Sequence, residues 1–260
     1  MLRIAITGAA GRMGRTVAEA VRDADDLALG AALEHPDSDA IGDVIDGVTI
    51  ARELAADAFD VLIDFSVPAA TLSVIEACEH HGKGMVIGTT GFDADGTARI
   101  AQAAEHIPIV MTPNMSVGVN VTFKLIEAAA RALGADSDVE VFEAHHRHKI
   151  DAPSGTAVRI GEILARVLDR DLSADAVYGR EGITGERDGR TIGFHSLRGG
   201  DIVGEHTVTF AGPGERLEIT HRAHSRMNFA MGSLRAARFV AERETGLFDV
   251  ADVLGIAESL

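Results

Sequence analysis

The chain has 260 residues, a single cysteine and a formal net charge of −16 at pH 7. This length suits one large domain or two modest ones, and no apolar run is long enough to span a membrane. The acidic balance argues against nucleic-acid binding, and the first residues predict a strand rather than a signal peptide, so we expect a cytoplasmic protein that binds neither nucleic acid nor membrane.

The first predicted elements are a strand over Leu2–Thr7, a glycine-rich turn and a helix. The turn consists of Gly8, Ala9, Ala10, Gly11, Arg12, Met13 and Gly14. A strand, a glycine turn and a helix N-terminus are what dinucleotide binding requires, because the pyrophosphate rests on that N-terminus. The spacing G-x-x-G-x-x-G differs from the commoner G-x-G-x-x-G, however. Close packing of helix on strand is an equally good explanation of these glycines taken alone.

A second strand is predicted over Leu27–Leu33 and ends at Glu34. In dinucleotide sites an acidic residue about 20 residues beyond the glycine turn binds the ribose hydroxyls. The position of Glu34 therefore favours the nucleotide interpretation.

Three further apolar strands alternate with helices: Val61–Phe65, Met85–Ile87 and Ile107–Met111, with helices from Pro68 to near His81 and over 94–105. Such runs predict a parallel sheet buried on both faces, with ligands bound beyond the carboxyl ends of the strands. The residues that follow two of these strands are candidates for cofactor contact, although their composition is also that of ordinary turns: Gly88, Thr89, Thr90, Thr112, Pro113, Asn114 and Met115.

After Met115 the pattern changes to that of a second α+β domain. The predicted elements are a helix over Val119–Leu133, a strand over Val139–Ala144, a helix over 156–168, a loop over Gly179–Arg190, strands over Thr191–Leu197, Ile202–Phe210 and Leu217–Arg222, a helix over Arg226–Glu244 and an apolar segment over Leu247–Ile256. The spacing of the three strands predicts a mixed or antiparallel sheet. We therefore expect a dinucleotide-binding domain over 1–116 and 226–260, and a substrate-binding and oligomerisation domain over 117–225.

The segment Glu143–Thr156 carries most of the candidate chemistry. It holds three histidines, an arginine and a lysine within five positions, and then a turn that leads into a helix beginning near Ser154. Imidazoles suit proton transfer, and the helix N-terminus suits an anion. A solvated basic face and a metal site are the alternatives. We expect no metal, because Arg147 and Lys149 would repel a dication.

Several motifs resemble, in the same order, those of the dihydrodipicolinate reductase (4-hydroxy-tetrahydrodipicolinate reductase) family. They are the glycine turn, Gly88-Thr-Thr-Gly91, Asn114-Met-Ser-Val-Gly-Val-Asn120, His145-His-Arg-His-Lys-Ile-Asp-Ala-Pro-Ser-Gly-Thr156, Gly200-Asp-Ile-Val-Gly-Glu-His206 and Glu218-Ile-Thr-His221. The resemblance implies a Rossmann-type α/β domain plus an α+β substrate domain, assembled into a homotetramer. It also implies NADH- or NADPH-dependent reduction of a small cyclic dicarboxylate in the diaminopimelate route to lysine.

The resemblance also implies roles for individual residues. The catalytic residues would be His145, as general acid/base, and Lys149, as a proton donor. His146 would bind one substrate carboxylate, and Gly155 with Thr156 the other. The cofactor would lie against residues 8–13, Glu34, 88–90 and 112–115. Arg147 and His148 receive no firm role.

The cofactor preference is less clear, because the family often has an arginine after the acidic residue and this chain has His35. Arg12 is a possible phosphate partner, and we expect dual use with NADH at least as good as NADPH. Another Rossmann-type oxidoreductase acting on a small carboxylate and a non-catalytic nucleotide-sensing homologue are the alternatives. A semialdehyde dehydrogenase would need a reactive cysteine, whereas Cys78 lies in a helical pattern.

Overall fold

The structure is a computed structural model that describes residues 1–256. Residues 257–260, which the sequence assigns to the first domain, lie outside this range. The described chain divides into two compact units: a larger unit from Met1 to Val117 and from Arg226 to Ile256, and a smaller unit from Gly118 to Ser225. Within residues 1–256 no helix has the length and apolar character needed to cross a bilayer.

The larger unit is an eight-stranded sheet with helices on both faces. Its strands are β1 (Leu2–Thr7), β2 (Leu27–Leu33), β3 (Val44–Ile45), β4 (Val48–Ala51), β5 (Val61–Asp64), β6 (Gly84–Ile87), β7 (Pro108–Met111) and β13 (Gly246–Phe248). Its helices are α1 (Arg12–Arg22), α2 (Pro68–His80), α3 (Ala94–Ala103), α7 (Met227–Ala241) and α8 (Val250–Leu254), with a 3₁₀ turn at Ala56–Ala58.

The strand order is β13-β7-β6-β5-β1-β2-β4-β3, and every pairing except β3 with β4 is parallel. Alternate residues of the central strands enter two separate cores. Ile4 and Ile63 pack with α1 and α7, whereas Ala5 and Leu62 pack with α2 and α3. Burial on both faces explains the near-continuous apolar runs of these strands and confirms the predicted Rossmann-type sheet.

The smaller unit contains a five-stranded mixed sheet in the order β12-β11-β8-β10-β9. Its elements are α4 (Val117–Leu133), β8 (Asp138–His145), α5 (Gly155–Val167), α6 (Leu172–Asp175), β9 (Ala176–Tyr178), β10 (Ile192–Arg198), β11 (Gly204–Gly212) and β12 (Glu215–Ala223), with a 3₁₀ turn at Gly134–Asp136. One face packs on the helices through residues such as Val141, Val208 and Ile160. The mixed sheet predicted for the second domain is therefore confirmed.

Three parts of the chain differ from the sequence prediction, and the first is the stretch that forms α6 and β9, for which no element was predicted. No element was expected between His35 and Asp60, where the structure forms β3 and β4. Their strands are too short for a periodic signal, although they are joined by Asp46-Gly47, with φ of 47° and 82°, a typical two-residue hairpin turn. The segment Leu247–Ile256 is not one element but β13 and then α8. Its capping box at Asp249 and Asp252 starts a new helix.

Candidate active site

The larger unit contains a cleft of about 670 Å³ beyond the carboxyl ends of β1, β2, β4 and β5. Its walls come from the glycine turn, the residues after β2 and β4, and the start of α2. They are Thr7, Gly8, Gly11, Leu33, Glu34, His35, Pro36, Arg52, Phe65, Ser66, Val67, Ala69, Ala70, Ser73 and Val74. This is the edge of an open parallel sheet at which nucleotides bind.

The glycine turn needs its glycines for steric reasons. Gly8 has φ of +68°, and a Cβ there would lie 2.7 Å from the carbonyl oxygen of Phe65. A Cβ on Gly14 would lie 2.2 Å from the carbonyl oxygen of Gly8. Glycine at these two positions therefore allows the turn to pass close to Phe65 and allows the first turn of α1 to pack against Gly8.

Only part of this turn has backbone N–H groups available to a phosphate. The Ala9 N–H donates to the carbonyl of Leu33 (3.0 Å), and the Ala10 N–H donates to Glu34 Oε2 (2.9 Å). Arg12 and Met13 are the first residues of α1, so their N–H groups have no intrahelical acceptor, and Gly11 provides no side-chain cap. This helix N-terminus fits the pyrophosphate of a dinucleotide.

A fully buried carboxylate, Asp64, joins the loops around the cleft. It accepts hydrogen bonds from the hydroxyls of Ser66 (2.5 Å), Thr71 (2.6 Å), Thr89 (2.6 Å) and Thr7. The ends of β1, β5 and β6 are thereby held together. Because the Thr89 hydroxyl is used in this way, a cofactor could reach Thr89 only through its backbone.

The other predicted cofactor contacts differ in accessibility. Ala9 and Met115 are fully buried, and Thr112 is 4% exposed, whereas Thr90 and Pro113 are exposed. Asn114 Oδ1 accepts from the Ser116 N–H (2.9 Å). Within residues 1–256, neither 88–90 nor 112–115 belongs to the walls of the cleft. Their proposed contact with the nicotinamide therefore stays a prediction.

In the smaller unit, β8 carries Glu143 and His145 on the same face of the sheet. Glu143 Oε2 lies 2.6 Å from His145 Nδ1, and both residues are buried, at 1% and 9% exposure. A carboxylate accepts hydrogen bonds only, so the Nδ1 of a neutral His145 must carry the proton. The Nε2 is then the atom left for proton exchange with a substrate. A Cβ on Gly204 would lie 3.1 Å from that Nε2, so glycine leaves room beside it.

Glu143 accepts three further hydrogen bonds from two groups. Arg198, on β10, donates to both carboxylate oxygens (2.8 and 2.7 Å), and the Ser154 N–H donates to Oε1 (3.2 Å). Burial alone would raise the pKa of Glu143, but hydrogen bonds from Arg198, Ser196 and His145 lower it to about 2. Glu143 is therefore a permanent anion at working pH.

Two buried histidines, His145 and His206, have pKa values below the usual value of an imidazole. Burial lowers the pKa of His145, although the neighbouring Glu143 acts in the opposite direction. Burial, reinforced by the charge of His145, lowers the pKa of His206 to about 3. His206 Nε2 lies 2.9 Å from the Ser154 hydroxyl, and its ring meets that of His145 edge-on at 5.2 Å. His206 thus contacts both Ser154, the N-cap residue of α5, and the imidazole of His145 on β8.

The remaining predicted site residues follow β8 directly. Lys149 Nζ lies 2.9 Å from Asp151 Oδ2. Ser154 caps α5 by accepting from the Ala157 N–H (3.2 Å), which leaves Gly155 and Thr156 at the start of the helix. No heavy atom lies within 4 Å of a Cβ built on Gly155, so that N-terminus faces open space. His145 ends β8, Gly155 begins α5 and Lys149 lies on the segment between them, so their joint action on a substrate stays a prediction.

The known proteins that this chain resembles match it over nearly its full length. The sequence profile described as "Dihydrodipicolinate reductase, N-terminus" matches residues 2–115, and that described as "Dihydrodipicolinate reductase, C-terminus" matches residues 118–254. The chain belongs to the dihydrodipicolinate reductase family. A family member from Dechloromonas aromatica, named 4-hydroxy-tetrahydrodipicolinate reductase, is 57% identical, with 98% of each chain covered. One of the same name from Nitrosomonas eutropha is 56% identical, covering 98% of this chain and 99% of the relative.

A solved dihydrodipicolinate reductase supports the same assignment. The dipicolinate-bound structure from Paenisporosarcina sp. TG-14 matches with a TM-score of 0.75 and 25% identity, covering 97% of this chain and 98% of that one. A semialdehyde dehydrogenase mechanism does not fit the present chain, because that mechanism needs a reactive cysteine. The single cysteine of this chain, Cys78, is fully buried on α2, and burial raises the pKa of its thiol to about 12.

Proposed function

We infer that the chain catalyses the NAD(P)H-dependent reduction of 4-hydroxy-tetrahydrodipicolinate to tetrahydrodipicolinate, with loss of the hydroxyl group as water, in the diaminopimelate route to lysine. The observation that carries this conclusion is the 57% identity, over 98% of both chains, to a relative named for that activity. The substrate is a small cyclic dicarboxylate. We propose that residues 1–116 and 226–260 bind the nucleotide and that residues 117–225 form the substrate-binding domain.

The bound nicotinamide supplies the hydride. The chain positions it through the α1 N-terminus, where Arg12 and Met13 begin the helix, and through Glu34, whose carboxylate lies at the ribose end of the cleft. Residues 88–90 and 112–115 complete the nicotinamide side. Gly8 and Gly11 support this proposal, because both line the cleft and neither has a side chain to obstruct a phosphate.

His145 and Lys149 transfer the proton that must accompany hydride addition. Glu143 fixes the tautomer of His145, so Nε2 faces the space beside Gly204 and exchanges the proton there. Lys149 donates a proton, and its charge stabilises the negative charge that develops on the substrate. Positioned proton transfer of this type contributes about 10²–10⁴-fold to the rate.

The two substrate carboxylates bind on either side of this centre. His146 holds one, and Gly155 with Thr156 hold the other at the α5 N-terminus, where the helix dipole favours an anion. The open space in front of Gly155 supports this placement. The dipicolinate bound to the Paenisporosarcina reductase, itself a ring dicarboxylate, supports the substrate class.

Oxidation of NADH and of NADPH, followed by absorbance, tests the function directly. The substrate is generated in the assay from aspartate semialdehyde and pyruvate by a condensing enzyme. We expect cofactor oxidation only when both precursors are present. Tight nucleotide binding without turnover would instead favour a non-catalytic nucleotide sensor, an alternative that the presence of both His145 and Lys149 opposes.

The quaternary structure that we propose is a homotetramer in the cytoplasm. The face of the five-stranded sheet that is turned away from α4 and α5 exposes Phe142 and Leu197, which are 39% and 41% exposed. Adjacent apolar side chains on an open sheet face favour contact with another copy.

Light scattering at micromolar concentration should therefore give four times the chain mass of 27.3 kDa. Phe142→Glu should lower the measured mass, because it places a charge in that contact, whereas Tyr178→Glu changes an exposed ring on the edge strand β9 and is the control. A monomeric wild-type protein would contradict the tetramer.

A further inference from the structure

Arg52 is far from Glu34 in sequence but follows the strand next to the one that ends before Glu34, and both residues line the cleft. We propose that Arg52 binds the 2′-phosphate of NADPH. This inference rests on the proposed nucleotide-dependent function and adds a specificity-determining residue to it.

The register of two neighbouring strands brings Arg52 to this position. β2 and β4 run parallel with Leu33 opposite Ala51, and the Glu34 N–H donates to the carbonyl of Ala51 (3.1 Å). Glu34 and Arg52 are therefore the first residues beyond the same edge of two adjacent strands. Both line the cleft.

The Glu34 carboxylate is fixed by the backbone. Its Oε2 accepts from the Ala10 N–H (2.9 Å) and its Oε1 from the His35 N–H (3.1 Å). An acid held at this point accepts hydrogen bonds from ribose hydroxyls and repels a 2′-phosphate. Use of NADPH therefore requires a compensating cation close by.

Arg52 is the arginine available for that purpose. It is exposed, and among residues 1–256 its guanidinium has no hydrogen bond and no carboxylate within 4.0 Å, although the chain has 40 acidic residues. Arg12, on the glycine turn, does not belong to the cleft walls in the described part of the chain. A guanidinium binds a phosphate through two parallel hydrogen bonds, which suits a 2′-phosphate beside Glu34.

The test measures binding rather than turnover. Dissociation constants for NADPH and NADH are taken from nicotinamide fluorescence, and those for adenosine 2′,5′-bisphosphate and adenosine 5′-monophosphate from calorimetry, at one fixed ionic strength. Arg52→Gln should weaken NADPH and the bisphosphate by about 10- to 100-fold, as expected for a charge-assisted hydrogen bond. Binding of NADH and of the monophosphate should stay near wild type. Arg52→Lys should keep part of the affinity for NADPH and for the bisphosphate.

Two further variants separate this proposal from its rivals. Arg243→Gln removes an equal charge from the end of α7, where the guanidinium stacks on Phe239 at 4.3 Å, and should leave all four constants unchanged. Arg12→Gln tests the glycine turn. If Arg12→Gln, and not Arg52→Gln, selectively weakens NADPH and the bisphosphate, or if Arg52→Gln weakens NADH equally, the proposal is wrong. A wild-type protein that binds none of the four ligands would overturn the nucleotide-dependent function as well.

Discussion

Replacing His145 by Gln or Lys149 by Ala is expected to lower kcat by about 10²–10⁴-fold while nucleotide affinity stays near wild type. His145 is buried against Glu143 with its Nε2 beside Gly204, and Lys149 lies on the same segment between β8 and α5. Both side chains would act on the proton that follows hydride addition, so their loss affects the chemical step more than binding. Steady-state kinetics with both cofactors, together with nucleotide titrations, measure the two effects separately.

The chain provides a matched control for each substitution. Lys124, on α4, is one of three lysines, and its side chain is 21% exposed, as is that of Lys149. His195 is an imidazole bonded to a carboxylate, Glu140, at 2.8 Å on the other face of the sheet. Lys124→Ala and His195→Gln should keep kcat near wild type. A normal kcat with a raised KM in His145→Gln and Lys149→Ala would mean that these residues only bind substrate.

The sequence predicted the larger unit well, because its central strands are apolar runs buried on both faces and separated by strong turn signals. β2 begins and ends at the predicted residues, Leu27 and Leu33. The hairpin of β3 and β4 was missed, even though Asp46-Gly47 is a strong hairpin signal, because its two strands are short and mostly half-buried or exposed, unlike the fully buried β5 and β6. That omission mattered, since β4 is the strand that places Arg52 beside Glu34.

The site was predictable only where its parts are local in sequence. His145, Lys149 and Gly155 lie within eleven residues of one another, so one motif identifies them. Glu143 could also have been found, because residues two apart on a strand share a face. Arg198 and His206 could not, since they reach Glu143 and Ser154 through the order β11-β8-β10, and nothing local to either residue specifies that order.

Glu143→Gln should lower kcat by about 10²–10⁴-fold although Glu143 does not contact the substrate in the proposed mechanism. The carboxylate accepts from His145, Arg198 and the Ser154 N–H, whereas an amide has one acceptor oxygen and two N–H donors. An amide N–H facing Nδ1 would move the His145 proton to Nε2, the wrong tautomer for exchange there. Long-range ¹⁵N–¹H NMR of the imidazoles reports that tautomer directly.

Glu143→Gln should also shift the pH dependence of kcat toward acidic pH. Glu143 raises the pKa of His145 against the effect of burial, so removing its charge lowers that pKa further. The protonated imidazole is then lost at lower pH, and the alkaline limb of the kcat profile moves to more acidic pH.

The free energy of unfolding in acid should change as well. The pKa of Glu143 is about 2 rather than the usual 4.5, so the ionised carboxylate stabilises the folded wild type above about pH 4.5. This stabilisation is lost as the pH falls from about 4.5 to about 2, and the variant lacks it at every pH.

Glu140→Gln is the control that separates positioning from general destabilisation. Glu140 precedes Glu143 by three residues on β8 but points to the opposite face, where it binds Arg180, Arg187 and His195. Burial opposes its ionisation, yet these partners also lower its pKa to about 2. Glu140→Gln should therefore cost similar stability toward acid while leaving kcat, its pH profile and the His145 tautomer unchanged. If Glu143→Gln matches Glu140→Gln in all three readouts, the carboxylate serves only to hold the fold.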